Sequence, residues 1–233
     1  MKLSILIAAY NEEYLIDNVL KEIQSQDLSS CGISQKEIIL IDDGSTDKTV
    51  EKARSVMPEV KVIHHAKRKG KGASLISAYP HVTGDIILIQ DADLEYRPSA
   101  YPALVTPIVK GESDIVYGSR FLDIKHPEKM KLAYFLANRF GTALTNLLNS
   151  TKLTDAMTCF KVFRKKCLLG IEFSCNGFGH DSAEITAKFT KKGFKIKEAP
   201  ITYKARTFKE GKKFHPIYSL GVLRAIIKYS LRE

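Results

Sequence analysis

The chain has 233 residues, enough for one large domain or one domain with an appendage, and its apolar (44%) and charged (27%) fractions are those expected of a soluble globular protein. A formal net charge of +10 points to phosphate groups, an anionic membrane surface or nucleic acid as partners. Four cysteines without Cys-x-x-Cys spacing argue against a disulfide framework or zinc site and for reduced thiols in a cytosolic protein, and no apolar run reaches the ~20 residues of a membrane span.

Residues 3–9 form a continuous apolar run that stops at Tyr10-Asn11-Glu12, which reads as a buried strand. A helix is predicted over 12–25 from the spacing of Leu15, Ile16, Val19, Leu20 and Ile23. A second strand, 37–41, ends at Asp42-Asp43-Gly44-Ser45, and a helix over 46–57 follows with Ser45 or Thr46 as its N-cap. Residues 60–64 are a third strand, 72–80 a helix, and 85–89 a fourth strand delivering Asp91, Asp93 and Glu95 at its C-terminal end. This alternation predicts an α/β fold, a mostly parallel sheet covered by helices on both faces.

Beyond residue 97 the pattern loosens. Helix is expected at 101–110, strand at 114–117, and a long amphipathic helix at 129–149 whose apolar side carries Leu132, Phe135, Leu136, Phe140, Leu144, Leu147 and Leu148. Strand at 160–163, helix at 182–192, extended chain at 195–198 and 201–203, a basic loop at 207–214 and a last helix at 217–231 complete the reading. Charge is segregated: residues 1–159 hold 19 Lys/Arg against 20 Asp/Glu, whereas 160–233 hold 17 against 6. The cations arrive late in the chain.

Three polar or acidic turns follow three apolar strands, and in a parallel sheet those turns share one edge. Ligands of open α/β sheets bind at that edge. Carboxylates there suit a hard divalent cation beside a phosphorylated ligand; the bland alternative is a strand running into a polar turn. The run Lys67-Arg68-Lys69-Gly70-Lys71-Gly72 is not a Walker A loop. It is either a phosphate cradle built from backbone amides and Lys71, or a solvated loop.

Ala8-Ala9-Tyr10-Asn11-Glu12, Asp42-Asp43-Gly44-Ser45, Asp91-Ala92-Asp93, Gly118-Ser119-Arg120-Phe121, Thr154-Asp155 with Thr158-Cys159-Phe160-Lys161, and the basic run from Arg206 to Lys213 occur in an order that resembles family 2 glycosyltransferases. More narrowly the order is similar to the polyprenyl-phosphate (dolichol-phosphate) mannosyl- and glucosyltransferase branch. The resemblance implies a GT-A, Rossmann-like nucleotide-diphospho-sugar transferase fold, with a catalytic domain over 1–215 and a C-terminal amphipathic helix over 216–233, either part of the domain or a membrane-surface contact. It implies Mg²⁺ or Mn²⁺ at Asp91, Asp93 and Glu95. Ala8, Ala9, Tyr10, Glu12, Asp43, Lys71, Asp91, Ala92, Arg206 and Lys212 would bind the nucleotide sugar, with Arg206 and Lys212 closing from the C-terminal loop. The chain departs from the family where Ala8 replaces the usual Pro, where Met157 stands in place of a frequent acid, and at His180-Asp181, usually more aromatic.

The reaction implied is inverting transfer of mannose or glucose from GDP-mannose or UDP-glucose to a polyprenyl phosphate. A phosphate monoester has its second pKa near ~6, so it needs positioning, by Arg120 and Arg139, more than a general base. A hydroxyl acceptor would need a base, with Asp181 or Glu184 the candidates. A prenyl acceptor implies peripheral contact with the cytoplasmic membrane face, and leaves room for a removed or separate membrane-anchoring subunit. The helices at 129–149 and 217–231 either lie at that interface or pack as core. Three rivals compete: a glycan- or hydroxyl-directed glycosyltransferase, a sugar nucleotidyltransferase and a non-catalytic sugar-nucleotide sensor. A nucleic-acid-binding module is disfavoured by the lack of aromatic stacking motifs.

Overall fold

The computed structural model describes residues 1–123, 130–174, 177, 179–206 and 218–231. Its centre is a seven-stranded sheet of order β3-β2-β1-β4-β6-β5-β7. The strands are β1 (Lys2–Ala9), β2 (Gln35–Asp42), β3 (Lys61–His64), β4 (Ile86–Asp91), β5 (Ile115–Ser119), β6 (Lys161–Arg164) and β7 (Ile196–Pro200). The helices are α1 (Ile16–Gln24), α2 (Thr49–Val56), α3 (Lys71–Ala78), α4 (Tyr101–Val109), α5 (Leu132–Asn149), α6 (Ile185–Lys191) and α7 (Tyr218–Leu231).

The apolar runs become central strands because both sheet faces are covered. Leu3, Ile5 and Ile7 of β1 face one core with α1 and α4, while Leu6 faces the other with Leu75 of α3 and Ile185 and Phe189 of α6. Alternate residues pointing to opposite faces is the period of a strand, so a run buried on both sides must be apolar throughout. All pairings are parallel except those of β6, which runs antiparallel to β4 and β5. That reversal matters for the site. The start of β6, at Lys161, pairs with Ile89 near the C-terminal end of β4. The segment entering β6 therefore reaches the edge that the other strands reach on leaving.

Two local expectations are corrected. The second helix begins at Thr49, later than expected, because Asp47 accepts the Thr49 amide at 3.0 Å. Ser45 and Thr46 do not cap it. Ser45 Oγ accepts the Asn11 amide at 3.0 Å, and the Thr46 amide donates to Asn11 Oδ1 at 2.8 Å, so these two residues dock the β1–α1 turn, where Asn11 holds φ 50°.

The long helix is the larger correction. α5 buries Gly141, Thr142 and Thr145, while Leu132, Leu136, Phe140 and Leu147 are 56–77% exposed. Thr145 Oγ1 donates to the Gly141 carbonyl and the Thr142 hydroxyl accepts the Ala156 amide. Small and hydroxylated residues let the 155–157 segment approach closely; a Cβ on Gly141 would sit 3.1 Å from Met157 Sδ. The helix's fully buried face is thus the one hydropathy assigns to solvent, while Phe135, Leu144 and Leu148 of its apolar side pack half-buried against the core. On α7, Val222, Ala225, Ile226 and Tyr229 are buried and Leu220, Ile227 and Leu231 are exposed. Among the described residues, no helix is long and apolar enough to cross a membrane.

At the opposite end of the sheet, Glu37 is buried and receives Ser4 Oγ, Lys61 Nζ (2.9 Å), both the amide and hydroxyl of Thr83 (2.7 Å each) and the Gly84 amide (3.1 Å). Burial alone would raise its pKa, but these donors hold the carboxyl well below the usual range. A group depressed on folding stabilises above its unfolded pKa, and that contribution fades as pH falls toward the native value. Glu37→Gln is expected to lose about 1–3 kcal/mol at neutral pH, measured by urea unfolding, and the gap to wild type should narrow between pH 5 and pH 3.

Candidate active site

The C-terminal edge of β1, β2 and β4 opens into a cavity of about 590 Å³ lined by Ala8, Ala9, Tyr10, Glu12, Asp43, Lys71, Asp91, Ala92, Asp93, Glu95, Arg120, Asp181 and Arg206, all anticipated from the sequence. The structure brings these together from seven separate stretches of chain.

At the β2 end, Asp43 accepts His65 Nδ1 at 3.0 Å and the amides of Lys69 and Gly70 at 2.8 Å each. The glycine-rich loop therefore cradles a carboxylate of the protein, and the amides expected to hold phosphate are taken. Gly70 adopts φ 94°, ψ 159° to do so, a region open essentially to glycine. Arg68 stacks over the Tyr10 ring at 4.3 Å, a flat cationic platform beside the β1 turn.

Lys71 is reassigned with it. At the start of α3 its ammonium bridges Asp91 Oδ1 (2.6 Å) and Asp181 Oδ2 (2.7 Å). Burial alone would lower its pKa; Asp181 and Asp91 more than reverse this and hold it well above the ordinary lysine value. Asp91 in turn is held down, against burial, by Lys71, the Cys159 thiol and Arg206.

Asp93 is the crowded member. Burial first, then the Asp91 charge, push its carboxyl up to about 7 despite Arg206. Arg206 Nη2 pairs with Asp93 Oδ2 at 2.5 Å and its backbone amide donates to Glu95 Oε1 at 2.6 Å. Glu95 is also bound by Tyr203 OH at 2.9 Å. This corrects the three-carboxylate metal set. Glu95 is spent on fastening the 203–206 segment, and among the described residues no group of three or more His, Cys, Asp or Glu is arranged to hold a metal ion. Asp91 and Asp93 do fit a hard cation: both are oxygen donors, and their mutual repulsion is of the kind a divalent ion relieves. A Mg²⁺-type site built on one or two carboxylates draws its other ligands from water and bound phosphate.

Arg120 lines the cavity, yet its charge is matched. Nε and Nη2 grip Asp155 at 2.7 and 2.8 Å, Nη2 also reaches Asn138 Oδ1 at 3.0 Å, and the guanidinium lies 5.2–5.9 Å from the Tyr96, Phe121 and Tyr203 ring centroids. It acts as a strut between β5, α5 and the 155–159 segment. Arg139, the other candidate for the acceptor phosphate, is exposed, donates to the Thr154 carbonyl at 3.1 Å and does not line the cavity. Glu184 is withdrawn as a base. It is fully buried outside the cavity and is held by His180 Nδ1 (2.7 Å), the Ser174 amide (2.7 Å) and Lys188 (2.7 Å). Lys212, the 215/216 domain boundary and the basic loop at 207–214 lie outside the described residues. Sequence reasoning missed Asp155 and Cys159 as partners of site residues, and Tyr203; only their places in the Thr154-Asp155 and Thr158-Cys159 motifs hinted at the first two.

The family model for glycosyl transferase family 2 matches residues 4–170. The chain is a family 2 glycosyltransferase. It is 31% identical over 250 residues to a dolichol-phosphate mannosyltransferase of Pyrococcus furiosus, covering 99% of this chain and 68% of that one. A UDP-N-acetylglucosamine–dolichyl-phosphate N-acetylglucosaminyltransferase of Methanococcus voltae is 27% identical over 217 residues, covering 84% and 83%. Among solved structures, glucosyl-3-phosphoglycerate synthase of Mycobacterium tuberculosis, in complex with Mn²⁺, UDP and phosphoglyceric acid, superposes with a TM-score of 0.74 at 20% identity over 100% of this chain and 79% of that one. The GT-A-like fold that the family resemblance implied is thereby shown.

A carboxylate inside the cavity and one buried behind it predict opposite stability effects in this glycosyltransferase. Asp93→Asn is expected to leave the melting temperature unchanged or raised, because it removes one of three crowded carboxylates, while sugar transfer falls by at least ~100-fold. Glu184→Ala should cost about 3–5 kcal/mol, since it strands buried partners of an ion pair. Thermal melts beside a transfer assay measure both.

Proposed function

We propose that this glycosyltransferase moves mannose or glucose from a GDP- or UDP-sugar to a polyprenyl phosphate, with inversion at the anomeric carbon and with Mg²⁺ or Mn²⁺. The observation that carries this reading is the two-part lining of one cavity. Its charged corner, Asp91, Asp93, Lys71 and Arg206, runs into an apolar half made by Met130, Leu136, Phe140, Met157, Val222 and Leu223. Beyond it, Leu132 and Leu147 of α5 and Leu220, Ile227 and Leu231 of α7 are exposed. A nucleotide sugar suits the first half and an isoprenoid chain the second. The names of the Pyrococcus and Methanococcus relatives, both dolichol-phosphate enzymes, support the same acceptor class.

In this reading Tyr10 with Arg68 flanks the base, and Glu12 and Asp43 face the ribose. A divalent ion held by Asp91 and Asp93 would offset charge on the leaving diphosphate. Arg206 sits within reach of the same oxygens and adds charge-assisted hydrogen bonds. The acceptor oxygen is already ionised, so removing Glu184 from consideration costs the mechanism nothing. Because Arg120 is matched by Asp155, it fixes the wall against which the acceptor phosphate lies rather than supplying net attraction. The cavity-lining Lys131, at the entry to α5, supplies a cation on the apolar side. The outer rows of α5 and α7 would rest on the membrane surface, the chain acting peripherally at its cytoplasmic face.

The test is transfer of labelled sugar from GDP-mannose and UDP-glucose, with Mn²⁺ or Mg²⁺, to a short prenyl phosphate, to 3-phosphoglycerate and to a hydroxyl acceptor such as a free prenol. Transfer to the prenyl phosphate is expected. Turnover with the hydroxyl acceptor or phosphoglycerate but not the prenyl phosphate would overturn the reading. Leu132→Ser with Leu147→Ser should lower flotation with anionic vesicles, shift the melting temperature by only about 2 °C and leave transfer to a short, soluble prenyl phosphate intact.

A further inference from the structure

Asp181 stands out among the cavity residues as a carboxylate with half its bonding capacity unused. It is 1% exposed and lines the cavity. Its Oδ2 takes the Lys71 ammonium at 2.7 Å, whereas its Oδ1 is buried with no hydrogen-bond partner among the described residues. Leaving an acceptor of a buried charged group unmatched costs free energy, and the backbone goes to some trouble to keep it there. Residues His180–Glu184 form a π-helical turn, a local irregularity that concentrates at functional sites. The turn is locked from behind. His180, fully buried, joins Tyr79 OH through Nε2 (2.8 Å) and Glu184 through Nδ1 (2.7 Å). The orphan oxygen is therefore aimed, not adrift.

A carboxylate oxygen accepts hydrogen bonds and repels anions, so its natural ligand is an O–H or N–H group. This excludes the diphosphate and an ionised acceptor phosphate. The ribose is read at the Asp43 end of the site. Lys71 ties Asp181 directly to Asp91, so the orphan oxygen stands one ammonium away from the diphosphate corner, where the transferred sugar is attached. Resting on the donor reading above, we propose that Asp181 Oδ1 accepts a hydroxyl of the hexose and is a sugar-recognition residue of this enzyme. Lys71 then couples recognition of the sugar to the position of Asp91, since one ammonium satisfies both.

Titration calorimetry on the full chain with Mn²⁺ tests this, using GDP, UDP, GDP-mannose, UDP-glucose and donors whose hexose hydroxyls are removed one at a time. On the wild-type chain, loss of one particular hydroxyl should weaken donor binding about 10- to 100-fold, the range for a hydrogen bond to a charged group. On Asp181→Ala, the same deoxygenation should make no difference, while affinity for the nucleoside diphosphate alone stays within about threefold. If no single hydroxyl matters to the wild-type chain, or if the deoxygenation penalty persists in Asp181→Ala, the proposal fails. It also fails if Asp181→Ala weakens nucleoside diphosphate and nucleotide sugar equally, which would place its role in Lys71, or if donor affinity is untouched and only turnover with a hydroxyl acceptor is lost, which would make Asp181 a base. A wild-type chain that binds no nucleotide sugar overturns the donor reading and this proposal together; intact donor binding without the Asp181 coupling overturns this proposal alone.

Discussion

Buried negative charge at one sheet edge is the constraint on which this molecule is organised. Asp43, Asp91, Asp93 and Asp181 are gathered around the C-terminal ends of the strands, where water is scarce. Each must be matched by a donor from elsewhere. Asp43 takes two amides and a histidine, Asp91 and Asp181 share one lysine, and Asp93 takes Arg206. These partners come from the β3–α3 loop, the start of α3 and the segment past β7. Asp43, Asp91 and Asp181 are thus matched from within residues 65–71, while Arg206, from the basic last third of the chain, closes on Asp93.

This explains what could be read from the sequence. Apolar runs buried on both faces and the turns after them are local signals, so β1, β2, β4 and the carboxylates they deliver were legible. So were the residues lining the charged corner of the cavity. Partnership was not legible. Nothing in Lys69-Gly70-Lys71 says that its amides meet Asp43 rather than a phosphate, because the decision rests on a contact across 26 residues. Nor does Glu95, two residues from Asp93, reveal that Tyr203 and Arg206 will claim it. Arg120 and Asp155 each sit in a recognisable motif, but their bidentate pairing needs β6 to run against its neighbours, a reversal that hydropathy does not encode.

The acidic cluster on β4 also acquires a division of labour. Asp91 faces the lysine side and Asp93 the arginine side, while Glu95 serves as a fastening point for the returning chain. An isolated β-bridge between Tyr96 and Tyr203, whose rings lie 5.1 Å apart, reinforces that fastening. Three acids with one spacing in sequence thus meet three different environments.

The burial pattern of α5 has a separate evolutionary consequence. Its close packing falls to Gly141, Thr142 and Thr145, with Phe135, Leu144 and Leu148 half-buried against the core, whereas Leu132 and Leu147 point outward and contribute little to holding the domain together. Selection on foldability and selection on the outward row therefore act on different residues of one helix. The outer row can drift in size and branching without eroding the fold, so a lineage can retune the hydrophobic surface it presents at almost no thermodynamic penalty. The inner row has no such latitude, because a single methyl group at Gly141 meets Met157.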